Sequence, residues 1–346
     1  MRINNSILGE QVYIIAEISG NHNNDWEYTV DTIYAMKEAG ADCVKLQTYT
    51  ADSLTLNADT KYFAPRTSGI WKGKRPYDVF SEGAMPWDWQ PKLIELANSL
   101  GMDCFSSPFD KKAVDFLEEL DTPAYKIASF EIQDIPLIKY VASKGKPMII
   151  STGIATLEDI DLAVNTCRAQ GNDQIALLKC TSAYPTPMEE VNLKVIPNLK
   201  ETFEVPIVGL SDHTMGSTVP LGAVALGAKI IEKHFVLDRS KGGVDASFSM
   251  EPAEFKQMID SVRDLERALG KVTYQLTDKA LDSRTRGRSL FVAEDIKAGE
   301  VITENNVRSV RPGAGLHPKY MLDIVGKRVN KDIERGMPVT FGDIIE

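Results

Sequence analysis

The sequence predicts an α/β protein whose main part is a (β/α)₈ TIM barrel, followed by a small, mostly β domain. Short apolar runs alternate with helical patterns along the first 270 residues, giving eight pairs. The apolar runs are continuous, which indicates strands of a parallel sheet covered by helices on both faces. Glycines that can cap the helices in a left-handed conformation follow the helical patterns: Gly40, Gly101, Gly145, Gly171, Gly227 and Gly270.

The eight predicted units follow one another in chain order. The first four strand and helix pairs are expected at 11–19 and 25–41, 42–49 and 89–101, 102–109 and 111–120, and 124–130 and 135–145. The last four are expected at 147–153 and 156–171, 175–182 and 191–203, 205–212 and 217–228, and 229–236 and 252–270. Eight units in about 270 residues fit this barrel. An open doubly wound sheet is the alternative, but "EISGNHNND" lacks the G-x-G-x-x-G phosphate loop.

The pattern changes after Gly270. We expect a barrel domain at 1–270, a polar and aperiodic linker at 271–287, and a compact domain of short strands at 288–346. A domain of about 60 residues buries little apolar surface by itself, so we expect it to pack on another surface, such as the barrel of a partner chain.

Composition excludes several classes of partner. The net charge of −10 argues against nucleic acid, because a phosphate-backbone binder needs a basic surface. The start "MRINNSILGE" has no signal-peptide pattern, and no apolar window is long enough for a membrane helix, so we expect a cytoplasmic protein without membrane contact. The cysteines form no C-x-x-C motif and are expected to be buried free thiols: Cys43, Cys104, Cys167 and Cys180.

Polar residues lie at the ends of all eight predicted strands, where a barrel of this kind builds its active site. They are Glu17, Lys45, Gln47, Ser106, Ser107, Lys126, Ser129, Glu131, Ser151, Thr152, Thr181, Ser182, Tyr184, Ser211, His213 and His234. A single polar strand end can simply face solvent. Eight convergent ends favour a shared pocket.

Two lysines, Lys45 and Lys126, lie inside otherwise apolar strands, where an unpaired ammonium group is costly. A simple ion-pair network with Glu17 or Glu131 is one interpretation. The surplus of Ser and Thr hydroxyls at the neighbouring ends favours an anionic, phosphorylated ligand, because hydroxyls donate hydrogen bonds to anions without adding charge.

His213 and His234 lie at the ends of adjacent strands, in "GLSDHTMG" and "EKHFVLDR". Two imidazoles without a cysteine or a third histidine form an incomplete cage, unlike a closed structural zinc site. A divalent ion held in this way keeps positions open for water or a substrate oxygen, as a Lewis acid requires. A hydrogen-bonded structural role for each histidine is the alternative.

The ordered motifs resemble a known family. "AEISGNHNND", "VKLQTY", "FSSPFD", "AYKIASFE", "IISTG", "CTSAYPTP", "GLSDHTMG" and "EKHFVLDR" resemble the sialic acid synthase (NeuB-like) family, nonulosonate synthases that condense phosphoenolpyruvate with an amino-sugar aldehyde. The tail "VRSVRPGAGLHPKY" resembles the C-terminal antifreeze-like (SAF) domain of that family. The resemblance covers nearly the whole chain.

The resemblance implies a role for each matching residue. It implies a domain-swapped homodimer in which the SAF domain caps the barrel of the partner, and a divalent ion at His213 and His234, Mn²⁺ first and Mg²⁺ or Co²⁺ as alternatives. The phosphoenolpyruvate contacts would be Lys45, Ser107, Lys126, Ser129, Ser151, Ser182 and Ser211. The sugar contacts would be Gln47, Glu131, Tyr184 and Asp245, with Arg311 from the partner. Glu17 would be the acid or base, and no organic cofactor is needed. Ser182 stands where the family often has Asn, which puts that contact in doubt.

The segment 50–88 is long for a connection on the active face, where specificity is set. Four aromatic residues in or next to this segment, Trp71, Tyr77, Trp87 and Trp89, either pack it on the barrel rim or contact the sugar. The amino-acid sequence of this segment resembles that of pseudaminic acid synthases, which favours 2,4-diacetamido-2,4,6-trideoxy-altrose as the acceptor.

Other functions stay open at this stage. Legionaminic or N-acetylneuraminic acid synthesis would use the same motifs with another sugar. A metal-dependent barrel isomerase or aldolase would also pair histidines with acidic residues, but would not need phosphoenolpyruvate. A non-catalytic sugar-binding or ice-binding module would have no need for Glu17, both histidines and both buried lysines.

Overall fold

The computed structural model describes residues 1–4 and 6–345, and it divides the chain into two compact units, Met1–Gly270 and Lys271–Glu346. Within the described part of the first unit, eight parallel strands close into a barrel. In chain order they are β1 (Tyr13–Glu17), β2 (Cys43–Thr48), β3 (Asp103–Pro108), β4 (Tyr125–Ile127), β5 (Met148–Ser151), β6 (Ile175–Cys180), β7 (Ile207–Asp212) and β8 (Ile230–His234). The barrel closes where β8 pairs with β1 and His234 lies beside Glu17. The predicted (β/α)₈ fold is confirmed.

A helix follows each strand on the outside of the barrel. These helices are α1 (Trp26–Ala39), α4 (Gln90–Ser99), α5 (Lys111–Glu119), α6 (Ile135–Ala142), α7 (Leu157–Ala169), α8 (Val195–Phe203), α9 (Thr218–Ala225) and α10 (Pro252–Leu269). Two further helices, α2 (Ala51–Leu54) and α3 (Pro76–Gly83), lie in the long segment after β2. Helix α1 shows how local sequence sets an element, because the Asp25 side chain accepts from Tyr28 N and Gly40 ends the helix at φ 96°.

Side chains alternate between the two faces of each barrel strand. On one face, apolar side chains pack against the helices in the main core, for example Val44, Leu46, Val208, Leu210 and Ile231. The other face points into the barrel. Its positions near the strand beginnings are apolar, whereas its positions near the strand ends are polar.

A second apolar cluster fills the interior near the strand beginnings. It includes Ile15, Phe105 and Ile149 from the barrel, together with Ile3 and Leu8 from the N-terminal segment. The barrel interior is therefore a packed apolar core near the strand beginnings and a cavity near the strand ends.

The second unit has its own small core around Leu290, Ile302 and Val329. Its antiparallel strand pairs are β9 (Ser289–Val292) with β10 (Val307–Val310), and β11 (Arg328–Val329) with β12 (Ile344–Ile345), and it has a short helix α12 (Met321–Ile324).

The segment 271–287, expected to be aperiodic, contains helix α11 (Asp278–Thr285). Thr277 caps α11 by accepting from Ala280 N. None of its residues is buried, so the helix has no apolar stripe that the sequence could reveal.

The four cysteines are buried free thiols, as predicted. No helix within residues 1–4 and 6–345 has both the length and the apolar character needed to cross a bilayer.

Candidate active site

A cavity of about 500 Å³ opens at the C-terminal ends of the barrel strands, and a site of this size can hold a small organic ligand. The structure brings together here all but two of the residues that the sequence predicts for the site: Glu17, Lys45, Gln47, Lys126, Ser129, Glu131, Ser151, Ser182, Tyr184, Ser211, His213, His234 and Asp245. Ser107 is buried on β3 beside Gln47 but does not line the cavity. Arg311 is exposed in the second unit.

Besides Ser107, three polar residues at predicted strand ends do not line the cavity: Ser106, Thr152 and Thr181. Ser106 Oγ instead forms a 2.6 Å hydrogen bond with Thr48 Oγ1, and the two threonines donate to backbone carbonyls. Each of these residues is next to a cavity-lining residue or to Ser107. Neighbouring residues of a strand point to opposite faces, so a change of one position decides whether a side chain faces the cavity.

A buried charge cluster forms the floor of the cavity. Lys45 Nζ lies 3.0 Å from Glu17 Oε2 and 2.9 Å from Glu232 Oε1, and Lys126 Nζ lies 3.6 Å from the same Glu232 oxygen. All four side chains are at most 4% exposed. Lys126 pairs with Glu232, and not with Glu17 or Glu131. The two lysines are therefore balanced by two carboxylates in the ligand-free protein.

The pKa values of the cluster follow from burial and from these pairs. Burial would lower the pKa of Lys45, but Glu17 and Glu232 raise it above its usual value. Burial lowers the pKa of Lys126. Glu232 offsets only part of this lowering, and the nearby charge of Lys45 lowers the pKa further. Burial would raise the pKa of Glu17 and of Glu232, but the lysines hold both below the usual range. Lys126 is therefore the cation with the most to gain from a bound anion.

Hydroxyl groups surround the two lysines. Lys126 Nζ donates to Ser151 Oγ at 2.7 Å, and Ser211 Oγ donates to Glu232 Oε1 at 3.1 Å. Ser107 Oγ and Ser182 Oγ are buried without a hydrogen-bond partner. A buried hydroxyl without a partner costs free energy, so Ser182, which lines the cavity, points to a ligand that accepts hydrogen bonds.

The two histidines lie side by side, with ring centroids 5.1 Å apart. His213 Nδ1 is 3.1 Å from the carbonyl of Thr181, so Nδ1 donates there, and in the neutral ring Nε2 carries the lone pair. His234 Nδ1 is buried without a partner, while its Nε2 is 3.3 Å from Glu17 Oε2. The buried ring of Phe248 packs against both imidazoles, at 6.1 and 5.1 Å.

These donors fit a divalent ion. An imidazole with a free nitrogen beside a second imidazole with an unpartnered nitrogen is a donor set that Mn²⁺, Co²⁺ and Zn²⁺ accept. Within residues 1–4 and 6–345 no group of three or more His, Cys, Asp or Glu side chains is arranged to hold a metal. An ion here would therefore complete its coordination with water or substrate oxygens.

Four of the five predicted sugar contacts, Gln47, Glu131, Tyr184 and Asp245, form the upper wall of the cavity. Gln47 Nε2 donates to Glu17 Oε1 at 2.8 Å and to Ser19 Oγ at 3.3 Å. Ser19 Oγ in turn donates to Asp245 Oδ2 at 2.5 Å. The Tyr184 ring lies 4.5 Å from the His213 ring. This chain of hydrogen bonds links the floor to the upper wall.

Glu131 is expected to make stability depend on pH. Burial raises its pKa to about 7, and one of its oxygens is buried without a partner. The folded protein therefore binds a proton that the unfolded chain loses near pH 4.5, and stability falls as the pH rises from there through 7. Glu131→Gln should raise the melting temperature, with a gain that grows from pH 5.5 to 7.5 and then levels off.

Thermal melts of the wild type and Glu131→Gln across this range check the prediction, with the exposed Glu38→Gln on α1 as the control. A gain that is the same at every pH would contradict it.

The segment 50–88 contributes an apolar side of the cavity mouth. Leu54, Val79 and Phe80 from α2 and α3 line the cavity together with Tyr49 and Phe109. The Tyr49 ring packs edge-on against Phe109 at 5.3 Å and Phe80 at 6.3 Å.

Of the four aromatic residues named for this segment, only Trp71 lines the cavity, where its Nε1 donates to the carbonyl of Val244 at 3.2 Å. Trp87 and Trp89 pack on Phe116 and Trp26, and Tyr77 lies 3.4 Å from Asp52. Trp87 and Trp89 therefore pack as one interpretation expects, and Trp71 is the one of the four that lies where it could contact a sugar.

Sequence reasoning missed Glu232, which contacts both buried lysines. The available signal was its spacing of two residues from His234, since residues i and i+2 of a strand share a face. It also missed Ser19, which stands two residues after Glu17 in the predicted strand 11–19, and Phe248, for which one sequence offers no comparable signal.

Comparison with known proteins places the chain in a family. The model of the NeuB family matches residues 32–274, and that of the SAF domain matches 287–345. Two relatives named pseudaminic acid synthase are similar: one from Campylobacter jejuni (47% identical over 100% of this chain and 98% of the relative) and one from Helicobacter pylori (43% over 96% and 97%).

A solved structure of the spore coat polysaccharide biosynthesis protein SpsE from Bacillus subtilis matches at TM-score 0.68 and 34% identity, over 100% of this chain and 99% of that chain. The N-acetylneuraminic acid synthetase of Leptospira borgpetersenii matches at TM-score 0.73 and 28% identity, over 82% and 94%. The residues on the cavity floor and these full-length matches lead to one conclusion: the chain belongs to the NeuB family.

Proposed function

We propose that the protein condenses phosphoenolpyruvate with 2,4-diacetamido-2,4,6-trideoxy-altrose, giving pseudaminic acid and phosphate. The observation that carries this proposal is the cavity floor, where two buried lysines, the unpartnered hydroxyl of Ser182 and two imidazoles lie below an apolar mouth. The curated relatives named pseudaminic acid synthase support the choice of sugar, because their identity to this chain reaches 47% over its whole length.

The lysines and serines would bind phosphoenolpyruvate. Lys45 and Lys126 would hold its phosphate and carboxylate, and the unpartnered hydroxyls of Ser107 and Ser182 would donate to its oxygens. Ser129, Ser151 and Ser211 would complete this set. Fixing both substrates in a reactive geometry can supply roughly 7–11 kcal/mol of the barrier.

His213 and His234 would hold the divalent ion, Mn²⁺ first and Mg²⁺ or Co²⁺ as alternatives. When bound there, the ion supplies Lewis-acid polarisation of the sugar aldehyde.

The reaction forms one carbon–carbon bond and one carbon–oxygen bond, and it breaks the carbon–oxygen bond to phosphate. Carbon 3 of phosphoenolpyruvate attacks the aldehyde carbon, whose oxygen takes up a proton and becomes a hydroxyl group. Water adds at carbon 2 with loss of one proton, and the hemiketal formed there loses its second water proton and phosphate with the bridging oxygen, which leaves the keto group of the product. Glu17, whose pKa is held low by Lys45 and His234 against the effect of burial, is ionised at neutral pH. Its carboxylate can therefore take a proton from the attacking water, a role that general bases fill with gains of about 10²–10⁴-fold.

The sugar would lie along the upper wall. Its aldehyde carbon must reach the floor, so the opposite end of the open chain points to the mouth, where Gln47, Glu131, Tyr184 and Asp245 would contact its polar groups. The apolar side made by Leu54, Val79, Phe80, Tyr49 and Phe109 would face the deoxy methyl group.

We propose further that the protein acts in the cytoplasm as a domain-swapped homodimer, with Arg311 of each SAF domain reaching the acetamido group bound in the partner. The SAF match at 287–345 supports this arrangement. So does Arg311 itself, which is exposed and forms no ion pair with any residue in 1–4 and 6–345.

The acceptor can be identified by mass spectrometry of products formed from phosphoenolpyruvate with each of three sugars. We expect the 6-deoxy diacetamido altrose to give the highest kcat/KM. A 6-hydroxy acceptor should be about 10–100-fold poorer, because an apolar wall rejects an added hydroxyl only moderately.

Preference for the legionaminic acid precursor or for N-acetylmannosamine would instead assign the protein to one of those activities. A relative named N,N'-diacetyllegionaminic acid synthase, from Legionella pneumophila, is 38% identical to this chain. Turnover of a sugar without release of phosphate from phosphoenolpyruvate would favour an isomerase or aldolase.

A further inference from the structure

A buried ion pair lies behind the two histidines, on the helix-facing side of the barrel. Lys233 Nζ donates to Asp212 Oδ2 at 2.6 Å, and the two side chains are 0% and 2% exposed. Both residues face away from the cavity and do not line it. Leu210 and Ile231, two positions before them on the same face, belong to the main apolar core.

The pair holds the backbone on both sides of His213. The Asp212 carboxylate accepts from Thr214 N at 3.0 Å and from Thr214 Oγ1 at 2.9 Å. Lys233 Nζ also donates to the carbonyl of Thr214. The residues immediately before and after His213 are therefore tied to a single ammonium group.

The same pair joins the strand that carries His234. Asp212 on β7 is directly opposite Lys233 on β8, and each precedes its histidine by one residue. Because neighbouring side chains point to opposite faces, a link behind the wall fixes the backbone from which each imidazole projects into the cavity. The two rings lie 5.1 Å apart in this arrangement.

Stability alone is a weak reason for such a pair. Moving two charges out of water costs several kcal/mol each, and replacing a buried pair by apolar residues of similar volume is often neutral or stabilising. The pair also satisfies the backbone N–H and the carbonyl of Thr214, which directly follows His213.

We propose that Asp212 and Lys233 are positioning residues, which set the mutual placement of His213 and His234 and thereby the affinity for a divalent ion. This inference rests on the metal role proposed above. It assigns a function to two residues that touch neither substrate nor ion.

The test removes both charges at once. Asp212→Leu with Lys233→Met should fold, and its melting temperature without metal should stay within a few degrees of wild type. Its affinity for Co²⁺, measured by calorimetry on the full-length protein, should fall about 10–100-fold, as for other residues that orient metal ligands. The visible absorption spectrum of bound Co²⁺ should also change, which a purely structural role would not produce.

Two further variants sharpen the result. Thr48→Val removes two other buried hydrogen bonds, from Thr48 Oγ1 to Gln90 at 2.7 Å and between Thr48 Oγ1 and Ser106 Oγ at 2.6 Å, and should leave Co²⁺ affinity unchanged. Asp212→Asn keeps an acceptor for Thr214 N but loses the charge, so it should bind Co²⁺ with intermediate affinity, and it serves if the double variant does not fold.

The outcomes separate this inference from the proposed function. If wild type and His234→Ala bind Co²⁺ alike, the metal role fails and the positioning role fails with it. If only His234→Ala loses affinity, while the double variant and Asp212→Asn bind as wild type does, the metal role stands and the positioning role is overturned.

Discussion

Replacement of His234 by alanine is expected to lower kcat/KM by about 10³-fold. The variant removes one of two imidazoles that can hold a divalent ion, and Lewis-acid stabilisation of a developing oxyanion is worth several kcal/mol, at about 1.4 kcal/mol per factor of ten. His234 also lies 3.3 Å from Glu17, so its loss frees the proposed base as well. Phosphate release from phosphoenolpyruvate in the presence of the sugar and Mn²⁺ measures the effect.

The loss should come with a loss of metal binding. Wild type treated with a chelator should lose activity and recover it with Mn²⁺, whereas His234→Ala should recover little. His22→Gln is the matched control, because His22 is also fully buried but bonds to the carbonyl of Gly83 outside the cavity lining. Condensation that survives His234→Ala at near wild-type rate would remove the metal from the mechanism.

The barrel could be predicted because its signals are local. Each strand is a continuous apolar run, and many of the helices end at glycines, such as Gly40 and Gly227, both of which have positive φ. The predicted strand 124–130 is too long, because residues Ser129–Glu131 turn into a 3₁₀ helix after β4 ends at Ile127. The short helices α2 and α3 escaped detection, since four or eight residues are too few to establish a helical period.

The cavity could be predicted in outline because the ends of parallel strands meet in this fold. What a single sequence does not give is which polar residues share a face across different strands. The sequence shows Glu232 only as a residue of strand β8, and it does not show that its carboxylate lies between Lys45 on β2 and Lys126 on β4. Asp212 lies between Ser211 and His213 in the sequence, but its side chain points away from the cavity. The sequence alone does not show that it pairs with Lys233 there.

Replacement of Glu232 by glutamine is the second change for which we expect a large effect. Gln has nearly the same shape but no charge, so Lys126 loses the only carboxylate within ion-pair distance of it in residues 1–4 and 6–345. Lys45 keeps Glu17. Breaking a buried pair by removing one partner typically costs about 3–5 kcal/mol, and we expect a loss of unfolding free energy of this size.

Ligand binding should then repair part of the damage. A phosphate-bearing anion beside Lys126 replaces the missing charge, so phosphoenolpyruvate should raise the melting temperature of Glu232→Gln by more than it raises that of wild type. Glu82→Gln breaks an ion pair that is half exposed, with Lys74, and should cost at most about 1 kcal/mol with no change in the ligand effect.

The size of the ligand effect decides whether Lys126 is part of an anion site. If Glu232 only balanced two structural lysines, the variant would be unstable to the same degree with and without phosphoenolpyruvate. If Lys126 is part of an anion site, the bound anion replaces the charge of the lost carboxylate. The lowered pKa of Lys126 and its contact with Ser151 support this role. Equal shifts in both proteins would thus contradict the proposed binding of phosphoenolpyruvate at this floor, whatever the activity of the variant.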